Sequence, residues 1–465
     1  MPTSLQKVHQ SRLPVVGGGM LCALVYCYLA MASDGYGGAS LAQMLWVCGL
    51  AGLVTFALFF WSSRAEHQLR WSDILFFAIL FRLIGVLAFP VLEDDFYRYL
   101  WDGWQTHTFG SPYGSAPADF FSDDSLPDRW SEVLDGVNYP AVATVYGPTA
   151  QWLFAAGFLV APGEVWPLQC LAALADIGIV LLLQRLAPLR WVLLYAWCPL
   201  VIKEFAFTAH VDVIGALCVL GALTLRVGQR SDQHATAVSL SVGLLLALAC
   251  GVKIFALLAV PFLLQNDWRG WLAWLAGMAL LAWPFGLVDA WLPGGLQAMG
   301  DLWLFNAPIY FAATGIWGPS ILGAAKWICL VGFGLAAAWA FLSACGRALW
   351  PLARGLRARR PLVTVDTYLT GMTFLFGLFL LALPVLNPWY LVWWLVLSVL
   401  RPSITAWVCS VTLFLSYCTG INLGAIDLQL YQQPTWVLWF EFVPVLVALG
   451  FDLVRHRQPW SQPAA

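Results

Sequence analysis

Charged side chains are scarce in this chain: Asp, Glu, Lys and Arg make up 10% of its 465 residues, against about 25% in a soluble domain. So few charges cannot solvate a chain of this size. Hydrophobic residues supply 61% of the sequence, tryptophan alone occurs 27 times, and the mean hydropathy is +0.77. No stretch is left over for a separate soluble domain. Also missing are a Gly-rich phosphate loop, a CxxC pair and an HExxH helix, so the sequence shows no nucleotide cradle and no zinc motif. The eleven cysteines all sit inside or at the ends of apolar runs, which predicts free thiols and no disulfide framework. No nucleic-acid partner is expected.

Apolar runs long enough to cross, or nearly cross, a hydrocarbon core of about 30 Å recur along almost the whole chain. The sequence therefore predicts an all-α, polytopic membrane helix bundle. The first run, from about Leu13 to Ala32, lacks a small-residue cleavage site and is followed by another span, so it reads as an anchor. Lys7 and Arg12, Arg64 and Arg70, and the group Arg347, Arg354, Arg357, Arg359 and Arg360 fall in the cytoplasm by the positive-inside rule. The segment Glu93 to Val145 then emerges outside; it carries ten of the 25 acidic residues and only two basic ones, Arg98 and Arg129. Continuing between the basic clusters gives about fourteen membrane-embedded helices with both termini inside. Within the stretch 146–184, one of two helices has to be a half-span or strongly tilted, buried against its neighbours. The expected division is an N-terminal hairpin at 1–72, a catalytic membrane module at 73–343 including the outer loop 93–145, a basic cytoplasmic loop at 344–363 and C-terminal helices at 364–465.

This topology rests on Arg and Lys alone, yet it gathers a different set of residues on the outer side. The run EDDFYRYLWDG, Glu93 to Gly103, sets three carboxylates before a helix. Phe96, Leu100 and Trp104 form its apolar stripe, and Asp95, Arg98 and Asp102 share another face. Such a helix is expected to lie along the interface, its N-terminal acids held by the first turn and by Arg98. The competing reading of these residues is a solvated acidic cap. KEFAFTAHVD, Lys203 to Asp212, puts four ionisable residues in ten at a membrane-embedded turn, where such groups mark substrate or ion pathways; its bland alternative is a snorkelling Lys203 paired with Glu204. Lys253, alone in CGVKIFALLAVP, either snorkels to headgroups or meets an anionic ligand such as phosphate. SPYGSAP and NYP read as turns, NPWYLVWWL as an aromatic belt, and Asp176 as a polar helix-packing residue.

Taken in order, EDDFYRYLWDG with SPYG, YGP at a helix start, CPLVIKEFAFTAHVD, the lone VK followed by LLAVP, and NPWYLVWWL resemble the polytopic GT-C glycosyltransferases. The resemblance is in particular to bacterial mannosyltransferases that use a polyprenyl-phosphate sugar donor. The resemblance implies that Asp95, with Asp94 beside it, is the catalytic base, and that Arg98, Tyr99, Lys203, Glu204, His210, Asp212 and Lys253 contact substrate. It implies transfer of a sugar, mannose by this likeness, to a lipid or glycan acceptor with inversion, at the outer face of a bacterial inner membrane. The family's His-Asn-Asp motif reads His210, Val211, Asp212 here, so its middle amide is missing. No nucleotide cofactor is implied; the acids are open to one divalent cation, although the sequence shows no complete ligand set.

Two other readings explain many spans: a secondary transporter or lipid flippase, and a structural subunit of an envelope assembly. Transporters place their ions near the midplane of inverted repeats. This chain shows no internal repeat and gathers its ionisable residues at one boundary. A structural subunit would not need paired acids, a lysine and a histidine on one side.

Overall fold

The N-terminal apolar runs become helices where the sequence punctuates them. The computed structural model describes residues 4–34, 38–63, 69–228, 235–265, 267–291, 295, 303–353, 365–425 and 427–455. In chain order its first elements are α1 (Ser4–Ser33), α2 (Leu41–Ser62), α3 (Trp71–Val86), α4 (Asp95–Phe109), α5 (Asp128–Asp135), α6 (Pro148–Val160), α7 (Trp166–Leu183), α8 (Leu189–Ala196), α9 (Pro199–Ile202), α10 (Asp212–Gly228) and α11 (Ala235–Val252). Ser40 and Gln43 exchange side-chain-to-backbone bonds of 3.2 and 2.8 Å at the start of α2, and so satisfy two N–H groups that no intrahelical carbonyl reaches. Among the described residues all regular structure is helical, apart from one isolated bridge between Phe305 and Val385.

Among the described residues six helices are long and apolar enough to cross a membrane: Arg12–Ser33, Leu41–Ser62, Trp166–Leu183, Ala235–Val252, Pro319–Ala338 and Thr435–Val454. A seventh span results if Pro199–Phe207 and Asp212–Gly228, bent by 116°, form one broken crossing. The chain is a membrane protein. The expected fourteen embedded helices exceed this number partly because four further apolar helices are short, among them the 13-residue α6. At about 1.5 Å per residue α6 reaches roughly 20 Å, too little to cross a core of about 30 Å; it is the short member of the pair in 146–184. The basic loop lies outside the described residues from Arg354 through Arg357, Arg359 and Arg360 onward, as do Arg64, Arg230 and Arg457.

A buried ion pair ties the bundle together. Arg82 on α3 donates to Asp176 on α7 at 2.8 Å, and Tyr195 OH donates to the other carboxylate oxygen at 2.8 Å. The guanidinium also donates to the carbonyls of Ala78 and Ala196. Asp176 is thus a packing residue whose charge is matched inside the bundle.

The acidic loop has a core of its own, formed by Trp101, Trp104, Trp130, Val133 and Leu134 against α6. Trp104 stacks on Trp130 with centroids 5.5 Å apart. Helix α4 consequently departs from the expected interfacial helix: Arg98, Asp102 and Gln105 are as buried as Phe96 and Leu100. A single-helix pattern cannot register that the polar face is also covered, here by the chain's own loop. Gln151 and Thr144 both donate to Asp102 Oδ2. Close backbone approaches fix these elements: a Cβ on Gly103 would meet Phe154 O at 2.5 Å, and one on Gly147 would meet Gly251 O at 2.5 Å. The second approach sets the end of α11, and with it Lys253, against the start of α6.

Candidate active site

Asp94 occupies the residue before α4, where a short acid ordinarily caps free N–H groups. Its side chain makes no capping bond. Instead Asn138 Nδ2 donates to Asp94 Oδ1 at 2.7 Å and to Asp95 Oδ1 at 2.9 Å. Tyr431 OH donates to Asp94 Oδ2 at 2.9 Å, and Tyr146 OH to Asp95 Oδ2 at 3.3 Å. The solvated-cap reading therefore fails: one amide holds both carboxylates together. The expected pairing of Arg98 with the acids is not formed either. Its guanidinium donates to the carbonyls of Val142, Asn138 and Tyr139 at 3.0, 3.1 and 3.2 Å, which shapes the loop that carries Asn138.

Crowding three acids without a matching cation has an electrostatic consequence. Burial, then the neighbouring Asp94 charge, pushes the Asp95 carboxyl up to about 6. Burial also raises Asp94, tempered by the bonds from Tyr431 and Asn138, and it raises Glu93 with Asp95 as the next cause. An acid displaced upward in this way holds protons closer to neutral pH, the range in which a carboxylate works as a general base.

Beneath the acids lies the broken helix. After α9 the chain takes one π-helical turn, Lys203–Phe207, then reverses through Ala209, whose φ of 62° lies in the left-handed region. For a residue with a Cβ that conformation costs about 1–2 kcal/mol; it turns His210 back toward the acids. Lys203, Glu204 and His210 are fully buried, so Lys203 does not snorkel. Its Nζ lies 3.3 Å from Glu204 Oε2 and contacts the Tyr417 hydroxyl. That hydroxyl is also 3.0 Å from Glu204 Oε1 and 3.1 Å from Glu93 Oε2, linking the buried layer to the upper acids. His210 stacks on Trp389 at 3.8 Å, with its Nε2 3.8 Å from Asp95 Oδ2.

Lys253 faces the same region from the end of α11. Asp212 anchors it at 3.1 Å and is itself oriented by the Trp393 indole N–H at 2.8 Å. The ammonium sits 3.7 Å from the Tyr390 ring centroid, a cation–π contact. Glu93, Asp94, Asp95, Arg98 and Lys253 line one cavity of about 1550 Å³. Lys203, Glu204, His210 and Asp212 form the layer behind it. Tyr99 does not line the cavity: it is buried and stacks on Phe154 at 4.7 Å. Asn138, Tyr146, Tyr417 and Tyr431 belong to the site and are absent from the sequence reading. For Asn138 the signal was a polar amide in the NYP turn of an acidic loop, and Tyr146 stands in the YGP motif; Tyr417 and Tyr431 gave none.

Paired acids line a cavity in a helical membrane protein, and the family match gives the class of that protein. The chain belongs to the alpha-(1->6)-mannopyranosyltransferase family: the model described as the N-terminal domain of that enzyme (MptA_B family) matches residues 15–267, more than half of the sequence. No curated protein and no solved structure matches. The protein is therefore a GT-C-like mannosyltransferase. The matched part contains the acids, the broken helix and Lys253; Trp389, Tyr417 and Tyr431 lie beyond it.

Proposed function

We propose that this protein transfers mannose from a polyprenyl-phosphate donor to a hydroxyl of a lipid or glycan acceptor, at the outer face of a bacterial inner membrane and with inversion at the anomeric carbon. The observation that carries the reading is the placement of Asp94 and Asp95 on the same cavity as Lys253, in a chain of mannosyltransferase family. Asp95 takes the proton of the acceptor hydroxyl, with Asp94 and Asn138 fixing its position. The acceptor oxygen forms a bond to the anomeric carbon as the bond from that carbon to the phosphate oxygen breaks. The lipid phosphate leaves as a dianion, which the Lys253 ammonium stabilises. An α-(1→6) product formed by inversion requires a β-linked donor. Phe255, Phe305, Phe311 and Leu438 give the cavity an apolar wall suited to the first prenyl units. Lys203, Glu204, His210 and Asp212 hold the catalytic layer in place from behind. The outer-face assignment follows the positive-inside rule, in a bundle to which six or seven long spans and four short apolar helices contribute.

Replacing Asp95 with Asn tests this. Asn cannot accept the proton, so turnover with polyprenyl-phosphate-[14C]mannose should fall by roughly 10²–10⁴-fold, the range for loss of a general base, while donor binding stays within a few-fold. A variant that transfers label at near wild-type rate would remove Asp95 from the chemistry. Donor movement across vesicles without any transfer would favour a flippase.

A further inference from the structure

The His210 ring presents a contradiction that its protein neighbours do not resolve. Its Nδ1 lies 3.0 Å from the Glu204 carbonyl and 3.4 Å from Glu204 Oε2. Two acceptors around Nδ1 place the ring proton there, with Thr208 Oγ1, 2.9 Å away, turned to the same carbonyl. Nε2 is then a bare lone pair. It is buried, has no hydrogen-bond partner among the described residues, and points at Asp95 Oδ2, 3.8 Å away. A lone pair aimed at a carboxylate oxygen is repulsive unless a positive centre lies between them.

The local charge balance is negative as well. Lys253 is engaged by Asp212 and Lys203 by Glu204, while Arg98 spends its donors on backbone carbonyls. Among the described residues neither Glu93 nor Asp94 has a salt-bridge partner, and Asp95 has only the His210 ring. One ligand atom from each of Glu93, Asp95 and His210 falls within 4.8 Å of the other two.

We propose that Glu93, Asp95 and His210 bind one first-row divalent cation. An imidazole whose Nδ1–H is fixed by a backbone carbonyl is the usual form of a metal-binding histidine, and the Trp389 stack holds its plane. One nitrogen and two carboxylate oxygens suit Zn²⁺ or Mn²⁺ better than Ca²⁺. Metal–ligand bonds of about 2.1 Å need the three atoms about 3–4 Å apart, so a contraction of at most about 1–2 Å by side-chain rotation closes the site. Three protein ligands leave further positions open to the cavity, where an acceptor hydroxyl or a donor phosphate oxygen can bind. The ion takes Asp95 through Oδ2, which also accepts from Tyr146, and Oδ1 keeps its bond from Asn138 with a second lone pair left for the acceptor proton. This assignment shares Asp95 with the proposed transfer reaction, and its test uses neither donor nor acceptor.

The full chain, purified in detergent and stripped with chelator, is dialysed against Zn²⁺ or Mn²⁺ and its metal content measured by mass spectrometry. About one ion per chain is expected, with affinity reduced at least tenfold in His210→Gln and in Glu93→Gln. Bound Mn²⁺ should also show nitrogen coupling in pulsed electron paramagnetic resonance, lost in His210→Gln. If His210→Gln does not fold, Glu93→Gln and the nitrogen coupling of the wild type decide. Metal at buffer-blank level, or binding unchanged in a folded variant, overturns the assignment. Ion binding without mannosyl transfer would refute the transfer reading and leave the site standing; transfer without ion binding would do the reverse.

Discussion

Replacing Asn138 with Ala isolates what the shared amide does for the acid pair. The side chain contributes two donors, at 2.7 and 2.9 Å, to two carboxylates that would otherwise repel across the start of α4. Hydrogen bonds to charged acceptors contribute about 1.5–3 kcal/mol each, so the gross loss is about 3–6 kcal/mol. The site opens on a cavity, and water replaces part of that, leaving about 1–3 kcal/mol. Expressed as lost positioning, at 1.36 kcal/mol per decade, this is a fall of roughly 10- to 100-fold in kcat for transfer of labelled mannose. The unfolding temperature should move little, because Arg98 holds the loop independently through the carbonyls of Val142, Asn138 and Tyr139. Arg98→Ala is the control, with the opposite balance: it loses loop stability first, read as faster proteolysis between residues 110 and 145. If Asn138→Ala keeps more than half of kcat, or if its loss tracks unfolding as that of Arg98→Ala does, the amide is not what positions the acids.

Two predictions concern the frame. Asp176→Asn leaves Arg82 as an unmatched charge in the bundle and should cost about 3–5 kcal/mol, lowering the thermal midpoint in detergent, whereas Arg82→Met with Asp176→Leu recovers most of it; equal losses in both would contradict the ion-pair account. Gly103→Ala puts a Cβ 2.5 Å from Phe154 O and should cost about 1–3 kcal/mol by overpacking α4 on α6; an unchanged midpoint would show that the two helices separate freely.

Local chemistry was readable from the chain, and long-range pairing was not. The class followed from scarce charge, and the acids at 93–95, the turn at 203–212 and Lys253 stood out because an ionisable group in an apolar run is costly without a purpose. Their partners lie far away in sequence: Tyr431 reaches Asp94, Tyr417 reaches Glu93, and Trp393 orients Asp212. Helical periodicity put Asp95, Arg98 and Asp102 on one face correctly. It laid the helix along the interface because it counts a single helix, and the loop that covers the face begins only after α4 ends. The metal-type grouping was invisible for the same reason, since His210 meets Glu93 and Asp95 only through the reversal at Ala209.

Val211 shows how a departure from a familiar motif can be reconciled with a working site. In the His-Asn-Asp pattern an amide stands where this chain has valine. Here residue 211 is 2% exposed and packs in the apolar core of the outer loop, turned away from the cavity. An amide buried in that position without partners would cost about 1–3 kcal/mol, so valine is the side chain this packing calls for. The neighbouring residues keep their places regardless: His210 faces Asp95 and Asp212 holds Lys253. An amide does reach the acids, from the opposite side, through Asn138. Asn138 does not replace the acceptor or donor contact that the family's amide would make, but it ties the acid pair to the loop, so the loop must fold for the pair to be held.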